Sequence, residues 1–311
     1  MKALVAREYT TLDGVAVTDV PQPVAGPGEV LLKVEAAALN PLDLALITGA
    51  MKDAFPVEHP LVVGMDAAGT VAEVGQGVTA YTPGDPVLAF SGSAGSVAEY
   101  TVVAVGPHLA KRPGGLSPLL AAAIPESGMT AVCLLRAVGL AASQSVLVVG
   151  ATGGVGLYAV QLAASLGAKV IATATAADAD YVRGLGAQGT VDYKAGDIVE
   201  QTLRQVPGGV DVVVDLVNRG DALSTTARAL RDGGRLVSPL FGPQDFGRGA
   251  TGVYIGTFTA EPGDLEDLAA RAADGRLRVE VGATYPFTDA PQAVSDFAGK
   301  HIRGKVVITV P

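Results

Sequence analysis

Between residues 145 and 237, apolar positions switch repeatedly between the period of a strand and that of a helix. Residues 145–149 form a β-branched run of the kind buried on both faces of a parallel sheet, and 155–166 then set Tyr158, Leu162 and Leu166 on one helical stripe. The pairing recurs. Further strands are predicted at 169–173, 190–193, 210–214 and 234–237, with helices at 178–185, 197–206 and 223–230 between them. Strands and helices taking turns predict an α/β fold with a doubly wound parallel sheet.

The flanking regions have another texture. Short runs at 3–6, 15–20, 29–34, 69–74, 87–90 and 98–103, punctuated by Pro-Gly and Gly-Asp turns, predict a β-rich, partly barrel-like module. After a strand at 253–258, the pattern predicts a helix at 265–273, strands at 277–281 and 305–310, and a helix at 291–298. Residues 137–168 carry no charge and are long enough to cross a bilayer, but Gly150, Gly153, Gly154 and Gly156 interrupt them midway. A strand, turn and helix are expected there instead.

Composition then narrows the chemistry. The 311 residues carry 22 Lys and Arg against 31 Asp and Glu, a net charge of −9, which argues against nucleic acid or an anionic membrane as partner. Cys133 is the single cysteine, and with only His59, His108 and His301 beside it, intramolecular disulfides are ruled out and zinc ligands are scarce. Redox chemistry would have to come from a bound cofactor. Residues 1–10 have no long apolar core, so a cytosolic protein without a secretory signal is expected.

The strongest single signal is Gly150-Ala151-Thr152-Gly153-Gly154-Val155-Gly156, which stands between a predicted buried strand and a predicted helix. In that position glycines let the backbone approach a pyrophosphate, whose charge is met by the free amides of Gly153, Gly154, Val155 and Gly156 and the positive helix end. A dinucleotide that uses the ribose 2′-hydroxyl would want an acid at the end of the second strand, where the chain reads Thr173-Ala174-Thr175. The missing carboxylate removes repulsion against a 2′-phosphate, and Thr173 or Thr175 could donate hydrogen bonds to it, so NADPH is expected over NADH. Asp178 and Asp180 oppose that preference, while Lys194 and Arg183 are either compensating cations or ordinary surface charges.

Several further segments, in order and spacing, carry a resemblance. They are Ala37-Ala38-Leu39-Asn40-Pro41-Leu42-Asp43, Gly64-Met65-Asp66, Gly84-Asp85, Gly128-Met129-Thr130-Ala131, Val191-Asp192-Tyr193, Gly233-Gly234-Arg235 and Gly304-Lys305-Val306-Val307. Over nearly its whole length the chain resembles zinc-independent members of the medium-chain dehydrogenase/reductase superfamily, in the NADPH:quinone oxidoreductase-like group. The resemblance implies a GroES-like catalytic domain from residues 1–118 and 265–311, a Rossmann domain at 119–264 between them, and an active site in the cleft. Zinc alcohol dehydrogenases of the superfamily place Cys, His and Glu ligands where this chain has Asn40, Met65 and Asp66, and their structural zinc lobe has no counterpart after Phe90. No metal is expected.

What the resemblance implies is hydride transfer from NADPH to a small-molecule quinone or α,β-unsaturated carbonyl. Thr130 would lie near the nicotinamide ribose or amide, Leu240 and Phe241 beside the ring, and Tyr193 along the 2′-phosphate. Asn40 would be the polar contact for substrate or nicotinamide. Its own surroundings also read as a helix start, with Asn40 as N-cap, Pro41 in the first turn and Asp43 favoured by the dipole. Met65 and Asp66 read as packing and turn residues, Cys133 as core, and His59 as solvent-facing. Related enoyl reductases carry a tyrosine after the Asn-x-x-Asp segment, where this chain has Leu44, Ala45, Leu46 and Ile47. That weighs against the alternative of enoyl-thioester reduction. A non-catalytic NADPH-binding redox sensor is the other alternative. A homodimer is implied, pairing through the strand at 253–258.

Overall fold

The computed structural model describes residues 1–256 and 259–311, with Ser93 described only in its backbone. The chain divides into two units, Met1–Glu126 with Glu261–Pro311, and Ser127–Ala260. The first stretch contributes strands β1 (Lys2–Ala6), β2 (Ala16–Asp19) and β3 (Glu29–Ala38), helix α1 (Pro41–Thr48), and strands β4 (Leu61–Val62), β5 (Asp66–Val74), β6 (Pro86–Phe90), β7 (Tyr100–Ala104) and β8 (Leu109–Lys111). Helix α2 (Pro118–Ala122) follows, and α3 (Pro125–Ala137) leads into the second unit. There β9 (Ser145–Val149), α4 (Gly154–Ser165), β10 (Lys169–Thr173), α5 (Ala179–Gly184), β11 (Gly189–Val191), α6 (Ile198–Gln205), β12 (Val210–Asp215), α7 (Leu223–Ala227), β13 (Leu230–Ser238) and β14 (Thr251–Tyr254) alternate. The chain returns to the first unit through α8 (Asp264–Ala273), β15 (Val281–Pro286), α9 (Ala290–Gly299) and β16 (Lys305–Thr309).

The second unit is built on one sheet in the order β11-β10-β9-β12-β13-β14, with every neighbouring pair parallel. Counted from β9 the order is 3-2-1-4-5-6, that of dinucleotide-binding sheets. All five residues of β9 are buried, as are Val212, Val213 and Val214 of β12, because helices cover both faces of such a sheet. Leu147, Ile171, Val213, Leu223 and Leu236 belong to its apolar core. The order reverses between β9 and β12, which opens a crevice at their carboxyl ends.

The first unit has a sheet in the order β15-β16-β3-β5-β6-β8, with β7 also paired to β3, and a smaller sheet β2-β1-β4. Long β3 pairs with β5, β7 and β16, so segments far apart in the chain meet on it. At its exit the Leu39 N–H bonds the Val306 carbonyl at 3.0 Å, while Asp66 opens β5 opposite Ala38. Those pairings set Asn40, Asp66 and Lys305 side by side.

Four local expectations need correcting. Leu166 lies past the end of α4 and is exposed, so the buried stripe ends at Leu162. Helix α7 stops at Ala227, because Leu230 already pairs with Val210 as the first residue of β13. The strand expected at 277–281 begins instead at Val281: Leu277 is buried with its N–H on the Arg271 carbonyl at 3.0 Å, closing off α8. The strand expected at 253–258 is β14, which starts earlier and ends at Tyr254, and Thr257 and Phe258 lie outside the described residues.

Candidate functional site

The glycine loop occupies the crevice between β9 and β12. Gly150 leaves β9 with φ +86°, a conformation natural to glycine, and a Cβ there would come within 2.8 Å of Val217 Cγ2. Gly153 is the N-cap of α4, and no side chain caps the helix, so its first amides are left for an outside acceptor. A Cβ on Gly153 would meet nothing nearer than the Gly150 carbonyl oxygen at 3.5 Å. A Cβ on Gly156, by contrast, would run into the Gly150 carbonyl oxygen and lie 2.7 Å from Ala151 Cα. The two glycines therefore differ: Gly153 keeps the cradle open and Gly156 lets α4 close on its own loop. An open cradle with uncapped amides fits a dinucleotide pyrophosphate.

The far end of the crevice is tied together by side chains. Thr173 is buried at the end of β10, and its hydroxyl accepts the Gly150 N–H at 2.9 Å, so it braces the phosphate loop. Half-buried Thr175 donates to Asp178 at 3.1 Å. Arg183 is engaged by Asp180 at 2.8 Å and by Thr190 at 2.9 Å, which neutralises one of the two acids that weighed against a 2′-phosphate. Asp192 accepts the backbone N–H groups of Ala176 and Lys194 at 3.1 and 2.8 Å, joining the segments after β10 and β11. Tyr193 is exposed beside it, and the Lys194 ammonium makes no ion pair among the described residues.

Sequence reasoning missed Asp215. Fully buried at the end of β12, it accepts the N–H groups of Val217 and Asn218 at 3.0 and 2.9 Å, the Asn218 carboxamide at 2.9 Å and the Thr226 hydroxyl at 2.6 Å. An acid ending the run Val212-Val213-Val214 was its only sequence signal. The loop it shapes leaves Val217 61% exposed, and the loop after β13 leaves Phe241 68% exposed. Ser238 organises that second loop by accepting the Leu240 N–H at 2.9 Å, and Leu240 is half-buried. Two large apolar side chains thus stand open at the carboxyl edge of the sheet. Thr130 is buried on α3.

In the first unit, Asn40 starts a helix, as its surroundings suggested, and its side chain joins a buried network. As N-cap of α1 it presents its backbone N–H to the Asp43 carboxylate at 2.7 Å, with Pro41 at the first helical position and Gly49 ending the helix at φ +70°. Its carboxamide belongs to a buried network: Nδ2 donates to Asp66 Oδ2 at 3.0 Å, and Oδ1 accepts from the Lys305 ammonium. Lys305 also pairs with Asp66 Oδ2 at 3.0 Å, and Asp66 Oδ1 accepts the Glu126 N–H at 2.8 Å. Asp66 is therefore a buried ionic hub rather than a turn residue. Met65 packs as expected. His59 is half-buried, 4.7 Å from the Tyr9 ring in an edge-on contact, rather than solvent-facing. Cys133 is buried.

Burial raises the Asp43 carboxyl from the usual 3.8 to about 7, assisted by the negative charges of Asp66 and Glu126 and opposed by the Asn40 N–H and Lys305. The donor set does not suit zinc. A carboxamide, a thioether and a carboxylate already neutralised by an ammonium leave a dication facing a positive charge. Lys305 went unrecognised as a site residue because its partners lie far away in sequence.

Known proteins agree with this architecture. Residues 26–113 match the family described as alcohol dehydrogenase GroES-like domain, and residues 185–308 the family described as zinc-binding dehydrogenase. A chloroplast envelope quinone oxidoreductase homolog of Arabidopsis thaliana is 30% identical, covering 99% of this chain and 98% of the relative. A mitochondrial NAD(P)H oxidoreductase of Homo sapiens is 31% identical, covering 91% of this chain and 82% of its own. Among solved structures, a mycobacterial protein complexed with NADPH superposes with a TM-score of 0.88 at 30% identity over 100% of both chains. The quinone oxidoreductase from Coxiella burnetii does so at 0.86 and 27% identity, over 100% of this chain and 99% of its own. Fold, glycine loop and full-length relatives lead to one conclusion: the chain belongs to the medium-chain dehydrogenase/reductase superfamily, in its quinone oxidoreductase-like group.

Proposed function

We propose that this oxidoreductase reduces a quinone or an α,β-unsaturated carbonyl with NADPH and without a metal. The observation that carries the metal-free reading is the Lys305 ammonium, which pairs with Asp66 and Asn40 at the positions where zinc relatives keep ligands. Bound NADPH would supply the hydride. The amides of Gly154, Val155 and Gly156 would receive its pyrophosphate, with the Gly153 N–H spent on the Gly150 carbonyl at 3.1 Å to shape the turn and Thr173 bracing the loop from behind. Tyr193 and Lys194 would meet the 2′-phosphate, whereas the Thr175 hydroxyl expected there is spent on Asp178. Thr130, Leu240 and Phe241 would border the nicotinamide, the exposed Phe241 giving it an apolar wall that excludes water. Asn40 would contact the acceptor.

An acceptor that spreads negative charge onto a carbonyl oxygen needs positioning more than acid catalysis, which suits a site of amides and apolar walls. Positions 44–47 offer no phenol, which favours quinones and simple enals over enoyl thioesters. The relatives named as quinone oxidoreductases support the same class. The test is NADPH consumption, followed by absorbance, across benzoquinones, naphthoquinones and small enals. Folded protein that consumes none overturns the proposal, and tight NADPH binding without turnover would favour a sensor. A cytosolic homodimer completes the reading, with β14 at the sheet edge as the pairing strand.

A further inference from the structure

The network around Asn40 leaves two donor hydrogens without a partner among the described residues. Asp66 is 0% exposed, Asn40 1% and Lys305 4%. The Asp66 carboxylate accepts from Glu126 on one oxygen and from Asn40 and Lys305 on the other, and Asn40 Oδ1 accepts from Lys305. This arrangement fixes the carboxamide. Its oxygen faces an ammonium and its nitrogen a carboxylate, and the flipped amide would set like against like at both ends. One Asn40 amide N–H and one Lys305 ammonium N–H are then left with no acceptor among the described residues. Buried donors are normally matched, and burying an ion pair costs several kcal/mol of desolvation per charge, so fold stability alone gives this pair little reason to exist.

We infer that Asp66 and Lys305 are positioning residues that hold the Asn40 carboxamide so that its spare N–H receives the carbonyl oxygen of the acceptor. The inference rests on the proposed contact between Asn40 and the acceptor. When a hydride forms its new C–H bond on a quinone or enone, the displaced π pair moves onto that oxygen, and a proton from solvent completes the product. A donor fixed beforehand stabilises the charge as it develops, without reorganisation during the reaction. The adjacent Lys305 charge strengthens the Asn40 amide as a donor, because it draws electron density through Oδ1.

The experiment compares Asn40→Ala, Asp66→Asn, Lys305→Met and the double variant Asp66→Asn/Lys305→Met. It reads kcat with a benzoquinone, melting temperature, and the red shift in absorption of cinnamaldehyde bound in the presence of NADP⁺. Each single variant should lose about a hundredfold in kcat, the usual effect of removing one such donor. The double variant leaves no charge unpaired, so it should recover the melting temperature lost by the single charge variants while kcat stays low and the red shift stays diminished. Recovery of kcat together with stability, or an unchanged red shift in every variant, overturns the inference. Full turnover by Asn40→Ala removes the contact itself. Failure of the parent to reduce any acceptor would defeat the proposed function instead, and the red shift and melting temperatures distinguish that case.

Discussion

Replacing Asp43 by Asn should remove a pH dependence that the parent protein carries in its stability. The Asp43 carboxyl is raised from 3.8 to about 7, chiefly by burial, with Asp66 and Glu126 adding to the shift. Between those values the folded chain holds a proton that the unfolded chain has released. The stability associated with this group is thus fully present below about pH 4 and is lost as pH rises to about 7. At about 1.4 kcal/mol per pH unit over roughly three units, the loss approaches 4 kcal/mol. The variant stays neutral throughout, and its carboxamide oxygen can still accept the Asn40 N–H that Asp43 now accepts at 2.7 Å. Other titrating groups affect both proteins alike, so the difference between their profiles isolates Asp43. Urea unfolding from about pH 4.5 to 7.5 should show the variant gaining about 3 kcal/mol on the parent. Parallel profiles, differing by less than about 1 kcal/mol over that range, would refute the reasoning.

Gly153→Val should keep the fold but weaken NADPH binding by at least about a hundredfold, since its side chain fills the open cradle, as titration calorimetry would reveal. Gly156→Val should lower stability by about 3 kcal/mol or more, because the new atoms meet the loop's own backbone, and an unchanged melting temperature would contradict that. Lys194→Ala should reduce the preference for NADPH over NADH by about tenfold through loss of a charge-assisted contact, and equal cofactor affinities in the parent would refute this. Asp215→Ala should cost about 2 kcal/mol, because it strands the buried Thr226 hydroxyl and the partly buried donors of Val217 and Asn218, measurable by denaturant unfolding.

Local patterns carried most of the second unit. The strands β9 and β10 begin and end where the β-branched runs do, because strands buried on both faces need uninterrupted apolar residues. The glycine loop was legible for a related reason, since only a sharp turn between strand and helix calls for that spacing. The pattern was weaker where residues serve a connection, as at Leu277, whose apolar neighbours resemble a strand yet close a helix. Thr173 appeared as a ligand for a 2′-phosphate, but a hydrogen bond from Gly150 across the sheet gives it a bracing role that no local window contains. The same limit hid the ion pair. Asp66 and Lys305 each open an apolar strand, and a charge in that position ordinarily faces water. Only the pairing of β3 with both β5 and β16 turns the two inward on each other.

That pairing imposes an order on synthesis. Lys305 lies 239 positions beyond Asp66 and 265 beyond Asn40, so it leaves the ribosome long after both. Until it emerges, a nascent chain can assemble the parallel sheet of the second unit, but the first unit has a carboxylate with no counter-charge and a β3 edge with no β16. Its completion waits for β16. A cut just before Lys305 would take away the cation around which the Asn40 network is arranged while sparing the glycine loop. Strand β16 thus separates the moment at which a dinucleotide cradle can form from the moment at which the Asn40 network is complete.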